Sequence, residues 1–173
     1  MEDVERLFRL YHAPLVRYLT RRLGDRDWAE EIAQETFLRA LRQETITSER
    51  SWLFAVATNL VRDDARKQSR QRKHLELLRA EAEVAQANVE IEPTSIERDE
   101  ERALARQAVE SLVERDRLAL LMREEGLDYD EIAAALEITR SSVGTTLSRA
   151  RRRLAENFEA LQRDKENEGH AAS

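Results

Sequence analysis

The amino-acid sequence predicts an all-α protein built as two small helical domains joined by an acidic flexible linker, the C-terminal one containing a helix-turn-helix. Three observations predict it. Only four Gly and two Pro occur in 173 residues, too few for a sandwich, a barrel or a glycine-looped nucleotide fold, while the strong helix formers Ala, Leu, Glu and Arg dominate. Apolar residues recur every three or four positions through most of the chain. Charge is segregated along the sequence: residues 1–80 carry a balance of +3, residues 81–107 of −5 and residues 108–173 of −4. A chain of this length holds one or two domains, and two halves of this size are each marginal alone.

The first helix is predicted from about Val4 to Leu23, with Leu7, Phe8, Tyr11, Leu15, Tyr18 and Leu19 on one face and a kink or split at Pro14. Gly24 and Asp25 break the pattern, and Asp25 or Asp27 caps the next helix. From Trp28 to Leu41 the inward set is Ala29, Ile32, Ala33, Thr36, Phe37, Ala40 and Leu41. Residues 43–51 have no helical period and read as a loop, ending at Ser51 as the cap of a helix with Trp52, Leu53, Val56, Ala57 and Leu60 inward. Trp52, at helical spacing with Leu53 and Val56, fits a core position. Between Glu81 and Glu101 there are eight acids against the single base Arg98, the mark of a linker, with a break near Pro93. Helicity resumes near Ser95 and runs through Leu104, Ala108, Val109 and Leu112; a further helix carries Leu118, Leu121 and Met122 and stops at Gly126. The resulting division is a first domain over 1–80, a linker over 81–101, a second domain over 102–160 and a polar tail over 161–173.

Several function classes are excluded by what the sequence lacks. With no Cys there is no disulfide framework, thiolate nucleophile or thiolate metal site. His12, His74 and His170 are too widely spaced for a histidine metal cluster, and no cofactor motif is present. The acidic start, Met1 to Glu5, does not read as a signal peptide, and no apolar run approaches the ~18 residues of a membrane span. These features predict a cytoplasmic protein without membrane insertion.

The net charge of −6 conceals two basic patches. Between Asp64 and Glu76 stand Arg66, Lys67, Arg70, Arg72 and Lys73 with no acid; between Glu137 and Glu156 stand Arg140, Arg149, Arg151, Arg152 and Arg153, again with no acid. The second patch belongs to a specific pattern over Gly126 to Leu154. Asp128 caps a short helix with Ile132, Ala133 and Leu136; Ile138 closes a turn; Thr139 or Ser141 caps a second helix with Val143, Leu147, Ala150 and Leu154 inward. That is a helix-turn-helix. Arg140, Ser141, Ser142, Thr145, Thr146, Ser148, Arg149, Arg152 and Arg153 then face outward, hydroxyls and guanidinium groups suited to base edges and phosphates in a major groove. Cations near a helix C-terminus also complement its dipole, but that does not explain eighteen consecutive residues without an acid.

Three segments resemble the bacterial RNA polymerase sigma factors of the extracytoplasmic-function class. Ala29-Glu-Glu-Ile-Ala-Gln-Glu-Thr-Phe37 is similar to the polymerase-binding helix of that family's second region; Trp52-Leu-Phe-Ala-Val-Ala-Thr-Asn59, followed by Asp63 and Arg66, resembles its promoter-melting and minus-10 segment; and Gly126 to Leu154 resembles its fourth-region helix-turn-helix. The resemblance implies a promoter-specificity subunit, not an enzyme, that binds promoter DNA and core RNA polymerase at the clamp helices of the largest subunit and at the flap region, and that is held by an anti-sigma factor. It implies polymerase binding by Glu31, Gln34, Glu35 and Leu38, which share the face opposite the apolar stripe. It implies minus-10 contacts by Asn59, Arg62, Arg66, Lys67 and Arg70, a phosphate track for the opened strand. Minus-35 reading falls to Arg140, Ser141, Ser142, Thr145, Arg149, Arg152 and Arg153. The chain departs from the family pattern in the short loop 43–51, in Glu31 for Asp, in Glu137 where the turn often has Gly, and in Gly144 and Thr146 where many members carry Lys and Arg.

Two other readings compete. An autonomous helix-turn-helix regulator would use residues 1–80 for dimerisation or sensing, but has no reason to carry the 29–37 and 52–66 segments. A helical enzyme would need a nucleophile–base constellation or a carboxylate in apolar surroundings, and the sequence shows neither.

Overall fold

The computed structural model describes residues 2–64 and 93–172, and among them the chain forms seven helices and no strand. Helix α1 spans Glu2–Leu23 without interruption. The expected break at Pro14 is absent. Pro14 leaves the Leu10 carbonyl without its usual i+4 partner, and Leu10 lies on the exposed side of the helix. Leu7, Leu15, Val16, Tyr18, Leu19 and Leu23 form the buried face. Gly24, at φ 67, ends the helix with its N–H on the Thr20 carbonyl, a left-handed turn that suits a residue with no Cβ. Asp25 then caps α2 (Arg26–Leu41), its carboxylate accepting from the Trp28 N–H at 3.1 Å. Trp28, Ala29, Ile32, Ala33, Thr36, Phe37 and Ala40 are buried against α1; Leu41, expected with them, is exposed.

Helix α3 is helical over 49–64, the last residue of the first described stretch. It begins two residues before the Ser51 cap that the sequence suggests, and the Ser51 hydroxyl donates instead to the Glu131 carbonyl at 2.9 Å. Leu53, Phe54, Ala57, Leu60 and Val61 are buried, and Trp52 is half-buried against the same core. Tyr18 donates to the Thr58 hydroxyl oxygen at 2.8 Å, since Thr58 spends its own proton on the Phe54 carbonyl.

Helix α4 (Pro93–Glu110) takes in residues 93–101 of the 81–101 stretch that composition assigns to the linker; residues 81–92 lie outside the described residues. Pro93 is helical, at the edge of the described residues. Helix α5 (Glu114–Glu124) closes in a Schellman arrangement: Leu127 N–H reaches the Met122 carbonyl and Gly126 N–H the Arg123 carbonyl, with Gly126 at φ 90. Helix α6 (Tyr129–Leu136) starts with a full capping box, Asp128 accepting from Glu131 N–H at 2.8 Å and Glu131 accepting from Asp128 N–H at 3.2 Å. Helix α7 runs from Arg140 to Ala171. The polar tail is therefore helical through most of its length, braced on α4 by the Lys165–Glu100 ion pair and by Asn157 donating to the Ala108 carbonyl.

Helices α1–α3 and α5–α7 share one buried cluster, from Leu7 to Val61 on one side and from Leu118 to Leu147 on the other. The domains that the sequence divides pack against each other through α1, α3, α5 and α6.

Candidate nucleic-acid interface

The turn between α6 and α7 is set by Glu137, which adopts the left-handed conformation at φ 55, ψ 43. The position is the one where the family pattern often has Gly, and the helix-turn-helix is completed with a Cβ there nonetheless. Val143, Thr146, Leu147 and Ala150 of α7 are buried at i, i+3, i+4 and i+7. Thr146 therefore does not face outward as its hydroxyl suggested; it is 3 % exposed, on the face that packs against α5 and α6. Ser141, Thr145 and Ser148 stand exposed, and Ser142 is half-buried with its hydroxyl 2.6 Å from that of Thr139. Arg151, Arg152 and Arg153 are exposed at the far end of this surface.

Two cations of the patch have partners. Arg140 pairs with Asp130 at 2.8 Å, both side chains being largely exposed, so solvent screens the pair. Arg149 donates twice to Asp116 of α5, Nε to Oδ2 at 2.9 Å and Nη2 to Oδ1 at 2.5 Å. The Asp116 side chain is fully buried. The Arg149 hydrogen bonds and the charges of Arg149, Arg153 and Arg115 hold its carboxyl below the usual aspartate value against the opposing effect of burial.

On α3, Asn59 and Arg62 are exposed. Arg62 donates to Glu114 of α5 at 2.9 Å and to the Asn59 Oδ1 at 3.5 Å. Arg66, Lys67 and Arg70 lie outside the described residues. On α2, Glu31, Gln34 and Leu38 are exposed and Glu35 is half-buried, pairing with Arg39. Leu38 borders an open groove of about 670 Å³ that is also lined by Val4, Phe8, Phe37 and Leu41. Phe8 stacks on His12 with ring centroids 4.3 Å apart and is 47 % exposed. Counting Phe8 and Leu41 with the core, as helical spacing invites, misses that they line this groove; spacing does not separate a core position from a groove position on the same helix.

The contacts that join the two domains have no signal in the sequence. Arg50 of α3 forks onto Glu131 of α6 at 2.7 and 2.6 Å. The same carboxylate completes the α6 capping box. Arg17 donates to Glu125 at 3.2 and 3.1 Å, with Arg21 at 3.7 Å. Arg22, nearly buried, donates to the Thr58 carbonyl and to Glu114 at 3.2 and 3.3 Å. Burial pulls its guanidinium below the ordinary arginine value, opposed in part by Glu114. Glu114 and Glu131 titrate below the ordinary glutamate value, chiefly through the hydrogen bonds from Arg62 and Arg50. The residues that make these pairs are scattered over more than a hundred positions, so nothing local in the sequence marks them. Among the described residues no helix is long and apolar enough to cross a membrane, and no group of three His, Cys, Asp or Glu is placed to hold a metal ion.

Residues 7–71 match sigma-70 region 2 and residues 102–154 match sigma-70 region 4. Across 166 residues the chain is 30% identical to the RNA polymerase sigma factor YlaC of Bacillus subtilis, covering 91% of this chain and 92% of that one. It is 31% identical over 150 residues to the ferric citrate uptake sigma factor FecI of Escherichia coli, covering 84% and 85% of the two chains. The fold is that of the sigma factor RpoE solved in complex with the anti-sigma factor NepR from Bartonella quintana, with a TM-score of 0.64 and 19% identity over 92% of this chain and 98% of that one. The chain belongs to the sigma-70 family. Within it, the chain is an extracytoplasmic-function RNA polymerase sigma factor, a promoter-recognising subunit.

Proposed function

We propose that this factor works in the cytoplasm as a binding module without catalytic chemistry of its own. Its N-terminal domain, within residues 1–80, docks on core polymerase and takes the minus-10 element; its C-terminal domain reads the minus-35 element. Glu31, Gln34, Glu35 and Leu38 meet the polymerase clamp helices, with Phe8 and Leu41 supplying the apolar floor beside Leu38. Asn59, Arg62, Arg66, Lys67 and Arg70 serve the minus-10 side. Arg140, Ser141, Ser142, Thr145, Arg149, Arg152 and Arg153 serve the minus-35 side, the hydroxyls and Arg149 toward bases and the last two toward phosphate. An anti-sigma factor, of the kind with which RpoE was solved, holds the factor inactive.

The observation that carries this reading is the exposed, acid-free first half of α7, presented by a capped helix-turn-helix. The closed packing adds a requirement. Arg62 binds Glu114 and Arg149 binds Asp116, two residues further along α5, so both cations are anchored within one turn of the same helix. Minus-35 and minus-10 elements are roughly 25 base pairs apart by their names, or ~85 Å at about 3.4 Å per base pair. The domains must separate to engage both. Run-off transcription from a promoter library with core polymerase tests the reading. Factor-dependent transcripts sharing both elements are expected, whereas promoter-specific retention of DNA by the factor alone and no transcription with core would establish the autonomous regulator instead.

A further inference from the structure

Asp116 occupies a place that its chemistry makes costly. It sits in the first turn of α5, three residues after the N-cap Val113, which offers no side-chain cap. An acid there ordinarily faces water or bonds back to the helix start. Here its side chain is fully buried, and both of its oxygens are taken by one guanidinium thirty-three residues away. The pair is a two-pronged fork, the geometry in which arginine binds a carboxylate most strongly. Removing either partner would strand the other's charge or hydrogen-bonding capacity.

Arg149 is left in an unusual condition for a cation on a DNA-reading helix. A guanidinium has five N–H donors in a rigid plane; two are spent on Asp116, and the side chain remains 35 % exposed. The plane is thereby locked, its free edge turned outward, and its charge balanced from inside the domain. Arg151, Arg152 and Arg153 differ: they are exposed and take no part in the fork, Arg153 acting on Asp116 through its charge alone.

We propose that Asp116 is a specificity-determining positioning residue, which converts Arg149 from a mobile cation into an oriented hydrogen-bond donor for a base in the minus-35 element. The proposal rests on the assignment of α7 to that element. Orientation fixed before binding removes the ordering cost that a free arginine side chain bears on contact. Charge balanced before binding means that Arg149 displaces little counterion, so its contribution is to sequence preference rather than to general affinity. A consequence of opposite sign to simple damage follows. Taking away the Asp116 charge releases a cation toward the phosphates, which strengthens salt-dependent attraction to any DNA while it blurs base preference.

The test uses the full-length factor assembled with core polymerase on promoters randomised in the minus-35 element, comparing the wild type with Asp116→Asn and Arg149→Lys. For Asp116→Asn the preference at the affected base position is expected to fall about tenfold, and the salt dependence of promoter binding to steepen by roughly one unit of log–log slope. Arg149→Lys keeps the charge but cannot form the fork, and loses the same preference; it also covers the case in which Asp116→Asn fails to fold, which circular dichroism reveals. Unchanged preference in Arg149→Lys, or unchanged preference and slope in a folded Asp116→Asn, overturns the proposal. A wild-type factor with no minus-35 preference at all would instead overturn the assignment on which it rests.

Discussion

The two surfaces assigned to DNA are both rich in arginine, yet their acidic partners come from different places. On α7, Arg140 and Arg149 are paired with Asp130 and Asp116 of the same C-terminal domain, and the face between them stays open. On the N-terminal domain, Arg62 of the surface proposed for the minus-10 element is paired with Glu114 of the other domain, beside two cross-domain pairs outside that surface, Arg22 with Glu114 and Arg50 with Glu131. Pairing within a domain orients a cation without hiding the surface around it. Pairing across domains ties the surface to the closed arrangement. On the proposed function, the minus-35 side works as it stands, and Arg62 on the minus-10 side is released by opening.

The largest effect that can break this comparison lies in the shared core. Leu118 of α5 is fully buried in the cluster that spans both domains. Leu118→Ala is expected to cost about 2–5 kcal/mol, read as a lowered midpoint in a single thermal transition; two separate transitions in the wild type would show that the domains do not share a core. Next comes the cross-domain fork. Arg50→Met should weaken closure by roughly 1.5–3 kcal/mol, the range for hydrogen bonds to a charged group, while Asp128 keeps the Glu131 cap intact. The exchange of Arg50→Glu with Glu131→Arg should restore part of it, and a double-mutant cycle on the unfolding midpoint measures that coupling; zero coupling would remove the fork from the account.

Acid sharpens the same point. Glu114, Asp116 and Glu131 all have folded-state pKa values below their ordinary ones, so their contribution is fully present above the usual carboxylate range. It is lost as pH falls through the depressed values. Stability measured by denaturant titration should decline through that window, and the decline should be shallower in Arg50→Met; equal slopes would contradict the role given to the fork. The smallest effect isolates the other region. Glu137→Gly relieves a left-handed Cβ at φ 55 and should stabilise the helix-turn-helix by about 1 kcal/mol, visible as a higher melting midpoint with minus-35 preference unchanged.

How much of this was legible in the sequence depended on how local each feature is. The Asp25 cap, the Gly126 stop, the Asp128 cap and the inward Val143, Leu147 and Ala150 were readable because a cap or a helical face is settled within one or two turns. Pro14 misled because proline removes one backbone bond without ending a helix that is packed on both sides of it by Leu7, Leu15 and Val16. Thr146 misled because its small hydroxyl fits either face, and only the packing of α7 on two helices decides. The extension of α7 to Ala171 depends on a brace from α4 some sixty residues earlier. The Arg149–Asp116 and Arg50–Glu131 forks were invisible for the same reason: each joins residues that only the tertiary fold brings together.

The proposed function requires that Arg62 of the minus-10 side stays tied to Glu114 of the C-terminal domain until promoter binding separates the two. Because the chain has no Cys, a pair of cysteines introduced at exposed Asp63 of α3 and Ser148 of α7 gives a clean distance by double electron–electron resonance or energy transfer. A short distance is expected in the free factor, lengthening by tens of ångströms toward the ~85 Å element spacing in the complex with core polymerase and promoter. A free factor whose labels are already as far apart as in the promoter complex would contradict it.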